Sequence, residues 1–156
     1  MTMPSSRRSK KDKAGPGASL SGQLLIAMPT IRDPHFSRSV VYMCTHSRDG
    51  AMGLIINRPA DDISFPDLMV QARIIDEGQE KTIVSAARDM RVHIGGPVEK
   101  GRGFVLHTNE FRGNDSTVAV DDNISLTATI DVLKAIARGR GPSHALLALG
   151  CAGWSA

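Results

Sequence analysis

The fold is decided by residues 39–59, SVVYMCTHSRDGAMGLIINRP. The β-branched and aromatic residues of 39–46 predict a strand. Residues 47–50 predict the turn of a hairpin, because an Asp-Gly pair accepts positive φ. Residues 51–56 then predict the returning strand, which ends before Pro59 because proline cannot continue a central ladder. This stretch therefore indicates an antiparallel pair of strands.

Further strands are predicted outward from this hairpin, and helices are few. The predicted strands are 24–28, 91–94, 103–107, 118–120, 124–127 and 144–149, with a loop over 150–156. One helix begins after Ser64, which can cap it, with Pro66 and Asp67 in its first turn. A second covers about 129–138 and stops at Gly139, whereas 75–90 is predicted as irregular or partly helical. Consecutive strands with few helices predict an α+β fold and exclude regular βαβ alternation.

The basic character of the chain is concentrated in its first residues. Five of the 19 Lys and Arg side chains lie within residues 1–14, beside one acid, so the rest of the chain carries 14 basic and 15 acidic side chains. Residues 1–19 are predicted to be a disordered basic arm, and 20–156 to be a single domain. A nucleic-acid partner is not expected, because its binders usually carry the basic patch on the folded domain. The alternative is that the arm is a short anchor for nucleic acid or anionic lipid.

The two cysteines, Cys44 and Cys151, lie far apart and form no secreted disulfide framework. A reduced cytoplasmic setting is the simpler interpretation. No apolar run approaches the roughly 20 residues of a membrane helix, and the basic start lacks the apolar stretch of a signal peptide. The sequence therefore predicts a cytoplasmic protein without a membrane span.

Six ordered motifs carry a resemblance to a known family. They are GQLLIAMP at 22–29, FSRSVVY at 36–42 with His46, GAMGLIINRP at 50–59, GGPV at 95–98, GFVLH at 103–107 and GCAGWS at 150–155. Together they make the chain similar to the YqgE/AlgH family from about residue 20 to residue 156.

The resemblance implies a bacterial cytoplasmic protein with a bent or bifurcated, mostly antiparallel β-sheet that is partly closed like a barrel, with a few helices packed on it. It implies no chemistry, since the family is uncharacterised. Some members carry a transcriptional-regulator label, but no helix-turn-helix is legible here. Family members usually continue beyond the Gly-Trp motif, so the C-terminal end is predicted to be incomplete. Sheet surface left bare there would favour a homodimer.

Six residues are predicted to bind a ligand on one shared rim: Asn57, Arg58, Gly95, Gly96, Gly150 and Trp154. Arginine can clamp a carboxylate or phosphate, glycines can present backbone N–H groups, and tryptophan can anchor a partner. Each has a structural alternative. Asn57 can end its strand while Arg58 pairs with a surface acid, the glycines can form a tight turn, and Trp154 can plug the core.

Chemistry at Cys151 is the second hypothesis. A thiol in a glycine-rich loop, with His46 or His107 as its base, would be a nucleophile or redox sensor. Cys44 and His46 share a strand face and, with His107 or Cys151, could form a zinc set, but no Cys-x-x-Cys supports it, so neither metal nor cofactor is expected. The leading hypothesis is a non-enzymatic protein that binds a protein partner or small ligand. The alternatives are a thiol-dependent or hydrolytic enzyme and a DNA-associated regulator.

Overall fold

The computed structural model describes residues 5–7, 19–111, 117–128 and 130–155. The strands in these ranges are β1 (Ser5–Arg7), β2 (Leu24–Ile26), β3 (Val40–Ser47), β4 (Gly50–Ile55), β5 (Val92–Ile94), β6 (Val98–Thr108), β7 (Thr117–Ala119), β8 (Ile124–Thr127) and β9 (Ala145–Ser155). The helices are α1 (Phe65–Gln71), α2 (Ser85–Arg88) and α3 (Ile130–Ala137), with a 3-10 turn at Glu80–Thr82. No helix in these described ranges is long and apolar enough to cross a bilayer.

The sheet forks along β9. Its strands follow the order β1-β2-β3-β4-β9-β6-β8-β7, and β5 joins β9 outside this path. The first half of β9 pairs in parallel with β5, where Leu147 and Leu149 face Val92 and Ile94. Its second half pairs antiparallel with β4, where Ala152 faces Gly53. The other strand pairs are antiparallel, and the sheet curls into a half-barrel. The expected α+β fold with a bifurcated, pseudo-barrel-like sheet is confirmed.

Three apolar clusters pack on this sheet, and β9 contributes to each. Leu147 joins the cluster beneath the helices, which holds Phe65 of α1 and Val132 of α3. Ala148 joins the cluster in the hollow of the half-barrel. Ala152 joins a third cluster on the far side of β3 and β4. Strand β9 thus contributes a buried residue to each of the three clusters and holds them together.

The helix ends follow local sequence signals. The Ser64 hydroxyl accepts a hydrogen bond from the Asp67 amide, and the Asp67 carboxylate accepts one from the Ser64 amide, each at 3.1 Å. This reciprocal capping box confirms the predicted start of α1. Gly139 has φ +77° just beyond α3, which confirms the predicted stop, because that conformation is strained for residues with a Cβ.

Two predicted boundaries are wrong. Residues 150–155 were expected in a loop, but β9 runs through them to Ser155. A glycine in the partner strand β4 allows this close pairing, since a Cβ on Gly50 would lie 2.5 Å from the Trp154 carbonyl oxygen. Strand β6 begins at Val98 and not at Gly103.

Part of the predicted disordered arm is also described. Ser5–Arg7 pairs antiparallel with Leu24–Ile26 as the edge of the sheet. Main-chain pairing needs no apolar side chains, so composition could not indicate it. Residues 1–4 and 8–18 lie outside the described residues, and the arm and the domain boundary at residue 20 stay predictions.

Candidate functional site

Three of the predicted binding residues meet at the fork of the sheet. A Cβ added to Gly95 would overlap the Gly150 carbonyl oxygen, and one added to Gly96 would overlap the Cys151 carbonyl group. The Gly95 amide donates to the Leu149 carbonyl at 2.7 Å, and its own carbonyl accepts from the Ile55 amide at 2.8 Å. These glycines therefore permit close contact between backbones, which is a structural role, although the alternative from the sequence was a tight turn and not contact with β9.

Asn57 and Arg58 hold the segment that precedes β3. The Asn57 side chain accepts from the Val40 amide at 2.9 Å and donates to the Arg38 carbonyl at 3.0 Å. The Arg58 guanidinium donates to three carbonyl oxygens, those of Pro34 at 3.2 Å, His35 at 2.6 Å and Ser37 at 2.9 Å. Carbonyl oxygens thus take the place of the surface acid expected beside Arg58.

A cleft of about 540 Å³ opens beside the fork and includes two of the predicted residues, Arg58 and Gly96. Its lining is both apolar and polar. The apolar part includes Ala60, Ile63, Ile94, Pro97 and Leu149, and the polar part includes His35, Asp62, Gln71 and Lys100. Ile94 is 40% exposed, so a large apolar side chain is open to a ligand there.

A wide bulge in β6 supplies Lys100 to this cleft. Val98 pairs with Cys151 and Gly103 pairs with Leu149, so residues 99–102 face Gly150 alone. All four of these residues are exposed, and Glu99 has φ +49°. Bulges of this kind redirect side chains and are frequent beside functional sites. Sequence reasoning missed Lys100, and the signal was the polar run EKGR directly before an apolar strand.

Trp154 lies away from the cleft, in the cluster on the far side of β3 and β4. Its ring packs on Phe36, with ring centroids 6.1 Å apart, and its buried Nε1 has no hydrogen-bond partner among the described residues. The half-buried position agrees with the core-plug alternative. The predicted shared rim is therefore divided: Arg58 and Gly96 line the cleft, Gly95 and Gly150 pack behind it, and Asn57 and Trp154 lie elsewhere.

The thiols of Cys44 and Cys151 are free and buried in the hollow of the half-barrel. Burial raises the pKa of Cys44 to about 12. Burial also raises the pKa of Cys151, and the carboxylate of Glu99 adds to the rise. Both thiols are therefore held in the protonated form, which is a poor nucleophile.

The two candidate bases make other hydrogen bonds. His107 faces Ala145 in the sheet, whereas Cys151 faces Val98. Both ring nitrogens of His107 are engaged, Nδ1 with the Thr108 carbonyl at 2.8 Å and Nε2 with the Thr127 hydroxyl at 2.7 Å. His46 Nδ1 accepts from the Leu20 amide at 2.9 Å. Within the described ranges, no group of three His, Cys, Asp or Glu side chains is placed to hold a metal ion.

Comparison with known proteins identifies a family profile and relatives that this chain's sequence matches. The profile of the family described as AlgH-like, DUF179, matches residues 24–156. A UPF0301 protein of Rhodopseudomonas palustris is 54% identical over 97% of this chain and 74% of its own length. One from Methylocella silvestris is 56% identical over 92% of this chain and 70% of its own length. In another Rhodopseudomonas palustris strain the matched share of the relative is 66%, so the chain spans about two thirds to three quarters of these proteins.

Solved structures show the same fold. The solution structure of the AlgH protein from Pseudomonas aeruginosa superposes with a TM-score of 0.73 at 35% identity, over 92% of this chain and 72% of that one. A crystal structure from Corynebacterium diphtheriae gives a TM-score of 0.60 at 16% identity, over 92% of this chain and 69% of that one, a likeness of fold alone. The motifs, the forked sheet and the matching profile agree, and the chain belongs to the YqgE/AlgH family.

Proposed function

We propose that this protein acts by binding, and that a protein partner or small ligand contacts the cleft beside the fork of the sheet. The observation that carries the proposal is the cleft itself, whose lining includes the exposed side chains of Ile94 and Lys100. Its volume of about 540 Å³ lies within the range of small-molecule sites, roughly 300–1,000 Å³. We place this binding in the bacterial cytoplasm, where reduced cysteines are ordinary.

The charges of the cleft favour a ligand with an anionic group, because its lining holds two basic side chains, Arg58 and Lys100, and one carboxylate, that of Asp62. No carboxylate forms a salt bridge with Lys100 in the part of the chain that the structure describes, so its ammonium group is available. Arg58 acts differently, because three carbonyl oxygens already occupy its donors. It shapes the wall of the cleft and adds positive charge. A carboxylate or phosphate beside an apolar group would satisfy both Lys100 and Ile94.

Amide chemical-shift mapping tests this proposal directly. The full chain, labelled with ¹⁵N, is titrated with small aryl carboxylates and aryl phosphates. We expect saturable shifts grouped at Ile94, Gly96 and Lys100. Lys100→Glu should abolish them, whereas Lys134→Glu, a matched charge reversal on the exposed face of α3, should leave them unchanged. Shifts that are scattered, or that survive Lys100→Glu, would contradict the proposal.

The geometry does not favour a thiol enzyme. The Cys151 thiol is buried with a raised pKa, and both ring nitrogens of His107 are engaged elsewhere. The DNA-associated regulator depends on the basic arm, most of which lies outside the described residues. Both stay hypotheses from the sequence.

A further inference from the structure

A second cavity, separate from the cleft, opens at the end of the half-barrel. It has a volume of about 320 Å³, and its walls include Tyr42, Ile56, Leu106, Ile124 and Leu146. An apolar cavity of about 150 Å³ is enough to admit benzene. This one is therefore large enough for a molecule with two rings or a short hydrocarbon chain. We call it the mouth pocket.

A hydrogen bond across the gap of the half-barrel borders this pocket. The Tyr42 hydroxyl donates to the Asp121 carboxylate at 3.2 Å, although β4, β9 and β6 separate β3 from β8 in the sheet. The other oxygen of Asp121 accepts from the amides of Asn123 and Ile124, at 2.7 and 2.8 Å. These contacts fix the position of the Asp121 carboxylate beside the apolar wall.

A second carboxylate lies at the same end. Glu110 accepts a hydrogen bond from the hydroxyl of Thr108, which lines the pocket, at 2.6 Å. It also accepts from the Ser143 amide at 2.6 Å and from the Ser143 hydroxyl. Among the described residues, Asp121 and Glu110 are the charged side chains tied to the lining by these bonds. Neither carboxylate lines the pocket itself, but each lies one hydrogen bond from a lining hydroxyl, that of Tyr42 or Thr108, so this side of the pocket complements a cation.

Two imidazoles also line the pocket. Both ring nitrogens of buried His107 bond to neutral oxygen atoms, and His144 is exposed. Among the described residues, no hydrogen bond joins either imidazole to Asp121 or Glu110, so these two carboxylates stay open to a cationic ligand.

We propose that the mouth pocket binds a small amphiphilic amine. The apolar part contacts Ile56, Leu106 and Leu146, and the ammonium group lies toward the carboxylates of Asp121 and Glu110. This pocket differs in charge from the cleft beside the fork, and the two sites are independent.

The test uses the neutral fluorescent probe N-phenyl-1-naphthylamine with the full chain at pH 8. Octylamine, octanol and octanoate, which share one chain length, compete for the probe. We expect octylamine to displace it at about one tenth of the octanoate concentration, the ratio expected from one partly exposed charge pair. An equal or stronger effect of octanoate, or a chain that binds no probe, would overturn the proposal.

Variants locate the binding. Ala145 lines the pocket and is exposed, so Ala145→Phe should fill the cavity and remove probe binding. Val118→Phe adds the same ring at an exposed site on β7 outside the lining and should retain it. Glu110→Gln should narrow the preference for octylamine over octanoate. If Ala145→Phe binds the probe as well as Val118→Phe does, the assignment is wrong.

Amide shifts in the unmodified chain give an answer that no folding defect can affect. Octylamine should shift Leu106, Ile124 and Ala145 and leave Gly96 and Lys100 unchanged. Shifts confined to other residues would refute the mouth pocket as the site, while the carboxylate titration of the cleft would stand or fall separately.

Discussion

Gly150 lies in the short stretch of β9 between Leu149, the last residue that pairs with β5, and Ala152, the first that pairs with β4. Its φ is +75°, and a Cβ there would lie 2.5 Å from the Gly96 carbonyl oxygen and 3.1 Å from that of Val98. Both the backbone conformation and the space exclude a larger residue. The position therefore serves the close approach of β9 to the turn before β6, whether or not a ligand also binds nearby.

Replacing this residue should be costly. We expect Gly150→Ala to lower the free energy of unfolding by about 2 kcal/mol or more, through strain and displaced backbone. Urea denaturation followed by circular dichroism measures the change. Gly101→Ala is the control, because nothing lies within 4 Å of its added Cβ, and it should stay within about 0.5 kcal/mol. Similar losses for both variants would argue against the close-approach explanation.

The buried thiols should react slowly. Because burial raises the pKa of Cys44 to about 12 and raises that of Cys151, little thiolate is present at neutral pH. We expect alkylation by iodoacetamide in the native protein to be on the order of 100-fold slower than in concentrated urea. Mass spectrometry of the modified peptides gives the rate at each cysteine. Fast, selective alkylation of Cys151 in the native state would restore the nucleophile hypothesis.

Glu110 joins the end of β6 to the segment before β9, two parts of the chain that are distant in sequence. Its carboxylate accepts hydrogen bonds from Thr108 at the end of β6 and from Ser143 before β9. These bonds, with that from the Ser143 hydroxyl first, lower the pKa of Glu110 to about 2 from an ordinary 4.5. The ionised form therefore favours the folded state.

The sign of this shift sets a pH window. A lowered pKa stabilises the folded state above the unfolded value of 4.5, and that contribution is lost as the pH falls toward about 2. Glu110→Gln should therefore be modestly less stable than the unmodified chain at neutral pH, and the difference should shrink over this window. Urea midpoints at several pH values measure it. A difference that grows on acidification would show that the carboxylate is not held as described.

Local elements were predictable from sequence, and long-range ones were not. Ser64 and Asp67 signal the start of α1 because capping involves adjacent residues. The course of β9 beyond Gly150 depends on its pairing with β4, about a hundred residues earlier, so small residues there looked like a loop. The half-barrel itself came from family resemblance. The cleft could not be foreseen, since His35, Ile63, Ile94, Lys100 and Leu149 come from five separate segments.

A contact across the gap of the half-barrel holds it closed. The bond between Tyr42 and Asp121 joins β3 to the turn between β7 and β8. Burial, followed by the charge of Asp121, raises the pKa of the Tyr42 hydroxyl, so it stays protonated as the donor. The contact therefore joins two parts of the sheet, β3 and the turn between β7 and β8, without involving β9.

Removing the Tyr42 hydroxyl should destabilise the turn between β7 and β8, which holds Asp121. We expect Tyr42→Phe to cost about 1 kcal/mol of stability, the usual net value of a hydrogen bond. Amide hydrogen exchange should become faster at Asn123 and Ile124, whose amides bond to Asp121, while amides of β5 keep their rates. Uniform acceleration across the chain would indicate general destabilisation instead.

The place of β9 in the order of synthesis has a consequence for how the protein is made. The ribosome must deliver residues 145–155 before β4 and β6 can each gain their second neighbour and before β5 can pair with β9. Such distant pairings slow folding, typically into the range of milliseconds to seconds. Until then the nascent chain exposes unpaired strand edges, so translation speed and chaperone access should govern the yield of folded molecules more than the final stability does.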